Sequence, residues 1–391
     1  MAYQKVKTPR FYIDYLSYWK MLGLIDDITM LHNGEFEIDN ILDLNPTEVS
    51  KFSGVSEENG YTIQITLNKD LSYNDLFPTH TDNGFVGLLG HNISTPDSGD
   101  YAVKVAFRNI TDDDDTAIGA FSVKEISNPS ILNSEVHEYN EHTQISKKGC
   151  TLYKAKPNDY ADETLTFNTI LLKIKKMDAN ETTGVIEPVS THEGNFNINS
   201  FCMGHYYDMT NNPDLNVKVT TEFDGFDVTN TLGGSTITNI RYMGAPYWSD
   251  YDGNDLEPWA VGESSGYSKR NGRKSWQLKF SYVDQKDLIS SNYMSNTYAE
   301  NTSSYDSGDI LTSVDGETED TGFFHTIDSD ESFSSRVLNR IGNGQRFIFQ
   351  PNKDENNPSD FYIAMLDQDS VVLDQVANGV YNISLTIKEV W

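Results

Sequence analysis

The stretch SDYDGNDLE sets Asp250, Asp252, Asn254, Asp255 and Glu257 around a single glycine. Oxygen ligands at alternating positions are what Ca2+ takes. The glycine stands at the wrong place for an EF-hand loop, and the closing glutamate comes too early. These five residues form either a candidate calcium site or a solvated acidic loop, like the run Asp112 to Asp115. A second pattern, GESSG from Gly262 to Gly266, has the spelling of a nucleophile elbow. That motif needs a strand running into a strained turn and a helix leaving it. Here Pro258 precedes and a strand follows, so the segment reads as a turn. The eight histidines, His32, His80, His91, His137, His142, His192, His205 and His325, form neither HExxH nor an H-x-H pair, so a zinc-enzyme site is not indicated. His91 closes an apolar run and is expected at a strand end in a structural role. With 59 acidic residues, any pair of carboxylates is available by chance, so no glycosidase pair stands out. No glycine-rich loop opens a helix to cradle phosphate. The remaining feature is a basic island, Lys269, Arg270, Arg273 and Lys274. It is either the entry to a strand or a patch that meets acidic surface on a neighbouring copy. No catalytic residue emerges, and the chain is expected not to be an enzyme.

The elements that would position these residues belong to a chain of 391 residues, long enough for two or three domains. The formal net charge is −30. Such a surface repels nucleic acid and anionic membranes and suits a divalent cation or simple solubility. Cys150 and Cys202 cannot make a disulfide framework. MAYQKVKTPRFYIDYLSYWK has no signal-type apolar core, and no run reaches membrane-spanning length. Assembly in a reducing cytoplasm is expected. On that reading the N-x-S/T triplets at Asn92, Asn109, Asn180, Asn301 and Asn382 are chance sequences.

Abundant Tyr, Phe, Gly, Asn and Thr make a strand-and-turn composition. Residues 1–45 read as an arm with one short helix, in which Tyr15, Trp19 and Leu22 fall at helical spacing and Gly23 ends the run. The helix packs on its own domain or clasps a neighbouring subunit, which makes Tyr15 and Trp19 interface candidates. Over 46–190, Tyr61, Ile63, Ile65 and Leu67 form one strand face after the turn signal Asn59-Gly60. GFVGLLGHNI reads as a buried central strand, and Tyr101, Val103, Val105 and Phe107 as another half-buried one. In ETLTFNTILLKIKK the apolar phase shifts from Leu165 and Phe167 to Ile170, Leu172 and Ile174, which predicts a bulge. Over 191–391, Leu215, Val217 and Val219 alternate, Gly233-Gly234 turns the chain, and residues 285–330 form a long polar excursion. Trp276, Leu278, Phe280 and Tyr282 share one strand face, as do Tyr381, Ile383, Leu385 and Ile387. One helix stands out, with Ser329 as its cap, Asp330 and Glu331 in its first turn, Phe333, Val337, Leu338 and Ile341 as its buried stripe, and Gly342 as its stop. The expected fold is mostly β: two jelly-roll-like sandwich units behind an N-terminal arm, with one or two short helices.

Three stretches carry a resemblance. FVGLLGHNISTPDSGDYAVKVAFRN resembles a strand, turn and strand of the galactose-binding-like jelly rolls found in tailed-phage virion proteins. YMGAPYWSDYDGNDLEPWAV followed by SKRNGRKSWQLKFSYVDQKDL is similar to segments of bacteriophage tail proteins. So is the closing order ESFSSRVLNRI, GQRFIFQPN and DFYIAMLDQDSVVLDQVANGVYNISLTIKEVW. The resemblance, to distal-tail-like proteins among others, covers roughly half the chain and supplies no catalytic residue. It implies a galactose-binding-like sandwich over 46–190 and a tail-protein-like sandwich over 191–391. It also implies a structural role in the virion, at the tail tip or baseplate, in a homo-oligomeric ring with other virion proteins. No nucleic acid, membrane or cofactor beyond Ca2+ is expected. The alternatives are a capsid decoration protein and a carbohydrate-binding module that recognises host-surface glycan. The module would use an aromatic platform, with Tyr61, Phe85 and Tyr101 as its candidates.

Overall fold

The computed structural model describes residues 6–30, 34–37, 40–45, 50–56, 61–72, 83–91, 100–108, 117–121, 149–155, 166–179, 186–188, 192–223, 226–240, 272–288, 332–342, 344–355 and 360–390. The fold is mostly β, and its strand pairs are antiparallel.

The largest sheet has ten strands. Its spatial order is β14 (Lys218–Glu222), β17 (Arg273–Asp284), β21 (Val380–Glu389), β19 (Tyr362–Leu366), β18 (Phe347–Gln350), β1 (Arg10–Asp14), β13 (Ser200–Asp208), β6 (Gly84–His91) and β9 (Gly149–Ala155), with β20 (Leu373–Ala377) paired to β21. A six-stranded sheet runs β2 (Ile25–Met30), β5 (Tyr61–Ser72), β10 (Thr166–Ala179), β7 (Asp100–Arg108) and β8 (Ala117–Phe121), with β11 (Ile186–Pro188) on β10. A small sheet joins β12 (His192–Ile198), β4 (Ser50–Ser56) and β3 (Gly34–Glu37). The hairpin β15 (Phe226–Asn230) and β16 (Thr236–Ile240) forms a sheet of its own. The helical pieces are α1 (Tyr15–Met21), α2 (Gln285–Leu288) and a π-helical turn, Ser334–Leu338, that runs into α3 (Asn339–Ile341).

The sequence suggested successive sandwich units, yet the largest sheet draws strands from all three expected segments. The stretch read as an arm holds the middle of that sheet. RFYID pairs with β13 on one side and β18 on the other. Every residue of β1 is buried: Phe11 and Ile13 make one face apolar, and on the other Tyr12 lies between Arg10 and Asp14, whose charges are met by Asp208 and by N–H groups. Phe11 and Ile13 enter the main core, which the six-stranded sheet shares through Ile63, Ile65, Phe107, Ile170 and Leu172. Tyr12 enters a second core on the opposite face, with Phe85, Leu152, Cys202, Ile348 and Ile363. Gly204 lets β13 lie close to β1, since a Cβ there would stand 2.1 Å from the Ile13 carbonyl oxygen.

Several expectations hold. All of β6 is buried, as GFVGLLGH predicted. The register of β10 against β5 shifts between Phe167 and Thr169, and Phe167, Ile170, Leu172 and Ile174 are all buried. Gly233-Gly234 turns β15 into β16, and Gly23 ends α1 at φ 69°. Phe333, Val337 and Ile341 are buried, Leu338 of the expected stripe is half-buried, and Gly342 stops the helix at φ 48°.

Others change. Tyr282 does not continue the face of Trp276, Leu278 and Phe280. A bulge between Phe280 and Val283 puts Tyr282 at φ 59°, 77% exposed, and Val283 takes its core position. Leu22 is exposed, and the buried side chains of α1 are Tyr15, Leu16 and Trp19. The alternating Leu215 and Val219 are exposed instead of forming a core face, because they precede and enter an edge strand. The turn signal Asn59-Gly60 lies outside the described residues; β4 and β5, on either side of it, belong to different sheets. The cap at Ser329, with Asp330 and Glu331, lies outside the described residues, as does most of 285–330.

Candidate functional site

Asp14 ends β1 and begins α1. Its carboxylate accepts from the N–H groups of Leu16 (3.2 Å) and Ser17 (3.0 Å) and from the Ser17 hydroxyl, which caps the helix. It also accepts from the Met203 N–H (3.0 Å), fixing the helix start to β13. Burial pushes Asp14 up to about 6, against the pull of those hydrogen bonds.

One turn on, the Tyr15 hydroxyl meets Nδ1 of His205, and Arg336 Nη1 lies 3.4 Å from the same nitrogen. Arg340 stacks over Tyr15, its guanidinium carbon 4.5 Å from the ring centre. Burial, helped by Arg336 and Arg340, holds His205 well below the usual histidine range. The imidazole is therefore neutral, with Nδ1 accepting and Nε2 protonated. A neutral histidine beside a tyrosine could move a proton, but Tyr15 and His205 are 1% and 4% exposed. No substrate reaches them, and the cluster pins α1, β13 and the π-helical turn together. His91 closes β6, as expected, and burial lowers it to about 4.

A third cluster joins β1 to the end of β13. The Arg10 fork meets both Asp208 oxygens, at 2.5 and 2.8 Å, and stacks 4.0 Å from the centre of the Tyr206 ring. Burial works against this guanidinium, yet Asp208, Tyr12 and Tyr206 hold its proton more tightly than usual. A cleft of about 670 Å³ lies between α1, the segment 43–45 and the loop after α3, with Asp43, Arg340, Gln345 and Arg346 in its wall. Arg346 Nη1 is engaged there with the Leu44 carbonyl oxygen (3.2 Å).

The candidate residues distribute unevenly. Tyr15 and Trp19 are buried in the chain's own core, at 1% and 7% exposure, so their rings have little surface to offer a neighbour. Arg273 and Lys274 open β17 and face the chain's own last strand. The Lys274 N–H donates to Glu389 (2.9 Å), and its ammonium donates to the Tyr362 hydroxyl (2.7 Å). Burial pushes Glu389 up to about 7, against Lys274 and Arg273. Beside them, Lys388 pairs with Glu222 at 2.8 Å. This half of the basic island therefore closes the sheet across β14, β17, β21 and β19. Lys269 and Arg270 lie outside the described residues, as do Asp250, Asp252, Asn254, Asp255 and Glu257. Among the described residues no group of three or more His, Cys, Asp or Glu is placed to hold a metal, and no helix is long and apolar enough to cross a membrane. Of the aromatic platform, Tyr61 and Phe85 are core residues, and Tyr101 lies in β7.

The feature that sequence reading missed lies at the β14 edge. Eleven large apolar side chains are exposed among the described residues, and six of them, Leu215, Val219, Phe223, Val228, Leu232 and Ile237, fall within 215–237. Leu215 is 93% exposed. Every residue from Asp227 to Thr238 is exposed. A two-stranded hairpin alone is marginal in water, and contiguous exposed apolar surface marks interaction sites. The available signal was charge: 226–240 carries one charged residue, Asp227, in a chain that is 23% charged. No protein-family model, no curated protein and no solved structure matches this chain.

Proposed function

We propose that the chain is a structural protein of a tailed-bacteriophage virion that assembles with copies of itself, at the tail tip or baseplate, into a ring. The observation that carries the assembly half is the set of six exposed large apolar side chains between Leu215 and Ile237, beside a sheet edge that is unpaired among the described residues. An edge strand with an unpaired row of backbone N–H and C=O groups is a template for another chain. Depletion of charge beside it is the composition of an interface core. The buried polar clusters support the same reading, since they tie strands and helices together and leave a rigid body for assembly. The virion half rests on the resemblance of 85–109, 242–288 and the closing elements to tail proteins. Within the basic island, Lys274 is engaged within the chain and Arg273 acts on Glu389.

Two measurements test the two halves separately. Light scattering and negative-stain electron microscopy of the purified chain, over a range of concentrations with and without Ca2+, should show closed assemblies. A strict monomer throughout contradicts assembly. Mass spectrometry of purified phage particles from the source host should find its peptides in stoichiometric amount. Their absence contradicts a virion role.

A further inference from the structure

We infer that the β15–β16 hairpin of one copy adds, as extra strands, to the open β14 edge of the next copy. This rests on the assembly reading above and names the two surfaces that meet. β14 closes the order of the ten-stranded sheet, so among the described residues it pairs on one side only, with β17. Its outward row of backbone N–H and C=O groups is open to a strand. β15 and β16 pair with each other alone among the described residues, so each also has an open outer side. All three strands are five residues long, and each is rich in threonine and β-branched residues, which suit cross-strand packing. Within one copy the hairpin and β14 lie in separate sheets, although only residues 223–225 join them.

Charge selects the occupant. Two copies at −30 each repel, except where their surfaces carry little charge. The hairpin is such a surface, with Asp227 as its single charge. On β14 the exposed cation is Lys218, because Glu222 is paired with Lys388. Asp227 against Lys218 is attractive, whereas hairpin against hairpin sets Asp227 beside Asp227. The contact is therefore head-to-tail, the kind that closes into a ring or grows as a filament.

The test uses the full chain. In a Cys150→Ser background, where the other cysteine, Cys202, is buried, one preparation carries Val228→Cys, beside Asp227 on β15, and a second carries Val219→Cys. The two are mixed under mild oxidation. Disulfide-linked heterodimers are expected, well above either homodimer. In parallel, sedimentation velocity compares the wild type with Val228→Asp plus Ile237→Asp. Both positions are exposed, so the variant keeps its circular dichroism spectrum, and its dissociation constant rises about tenfold or more. If the wild type assembles while the double variant assembles equally well, or if Val228→Cys homodimers dominate, this inference fails and the assembly reading stands. If the wild type is monomeric throughout, both fail.

Discussion

The middle and the edge of the largest sheet use similar residues to opposite ends. β1 and β18 read RFYID and FIFQ, and both are buried on both faces. Leu215, Val219 and Phe223 are equally apolar, but they lead into and out of the edge strand β14 and remain exposed. Apolarity alone does not separate the two regions; neighbours do. The middle strands have partners on each side and a core above and below. Among the described residues the edge strand pairs on one side only. An apolar residue in the middle therefore contributes to folding, and one at the edge remains available for association.

The comparison breaks first at the aromatic residues. Phe11 touches Phe333, Phe347 and Phe349, with ring centres 5.5–5.6 Å apart. Phe11→Ala should cost about 3–5 kcal/mol in urea unfolding of the monomer. Leu232→Ser on the hairpin should change the same quantity by less than about 0.5 kcal/mol. Equal costs would mean that the hairpin packs on the body.

Next comes the Arg10–Asp208 pair. Arg10 is nearly buried, with its side chain 5% exposed. Asp208→Ala leaves that charge without its carboxylate and should cost about 3 kcal/mol. At the edge, removing Glu222 from its exposed pair with Lys388 should cost about 0–1 kcal/mol.

The pH dependence sharpens the contrast further. Glu389 goes from an ordinary 4.5 to about 7 in the folded chain, so folding favours its protonated form. Its contribution is complete below about pH 4.5 and is lost as pH rises through about 7. Asp14 behaves alike between 3.8 and about 6. His91 has the opposite sign: lowered to about 4, it contributes fully above 6.5 and loses that contribution as pH falls through 4. Glu389→Gln should therefore gain on the wild type by roughly 1–3 kcal/mol between about pH 5 and pH 8. A constant difference in urea unfolding across that range would refute the assignment.

The smallest effect belongs to Tyr282. A tyrosine at φ 59° carries steric strain that glycine lacks. Tyr282→Gly should raise stability by up to about 1 kcal/mol, and a loss would show that the bulge depends on the tyrosine ring.

Strand positions were largely legible in the sequence, because period-two alternation is local. The bulge after Phe167 appeared as a change of phase, and the helix at Phe333 to Ile341 as its apolar stripe. Sheet membership was not legible. That β1 would lie between β13 and β18 depends on pairings 190 or more residues distant, of which RFYID carries no local mark. The cap at Asp14 was readable as an aspartate ahead of YLSYWKM, and the β20–β21 turn as Asn378-Gly379 between two strands. For function, the alternation of Leu215, Val217 and Val219 marked a strand and said nothing of what its exposed residues meet. The scarcity of charge over 226–240 is the sequence signal behind the proposed interface, since interface cores are depleted of charge.

Amide hydrogen exchange of the full chain at low and high protein concentration tests the central claim most directly. Self-assembly through the edge predicts that protection over 218–222 and 226–240 rises with concentration, while β1 and β13 stay equally protected throughout. Protection at the edge that does not change with concentration, in a sample that nonetheless assembles, would contradict the account.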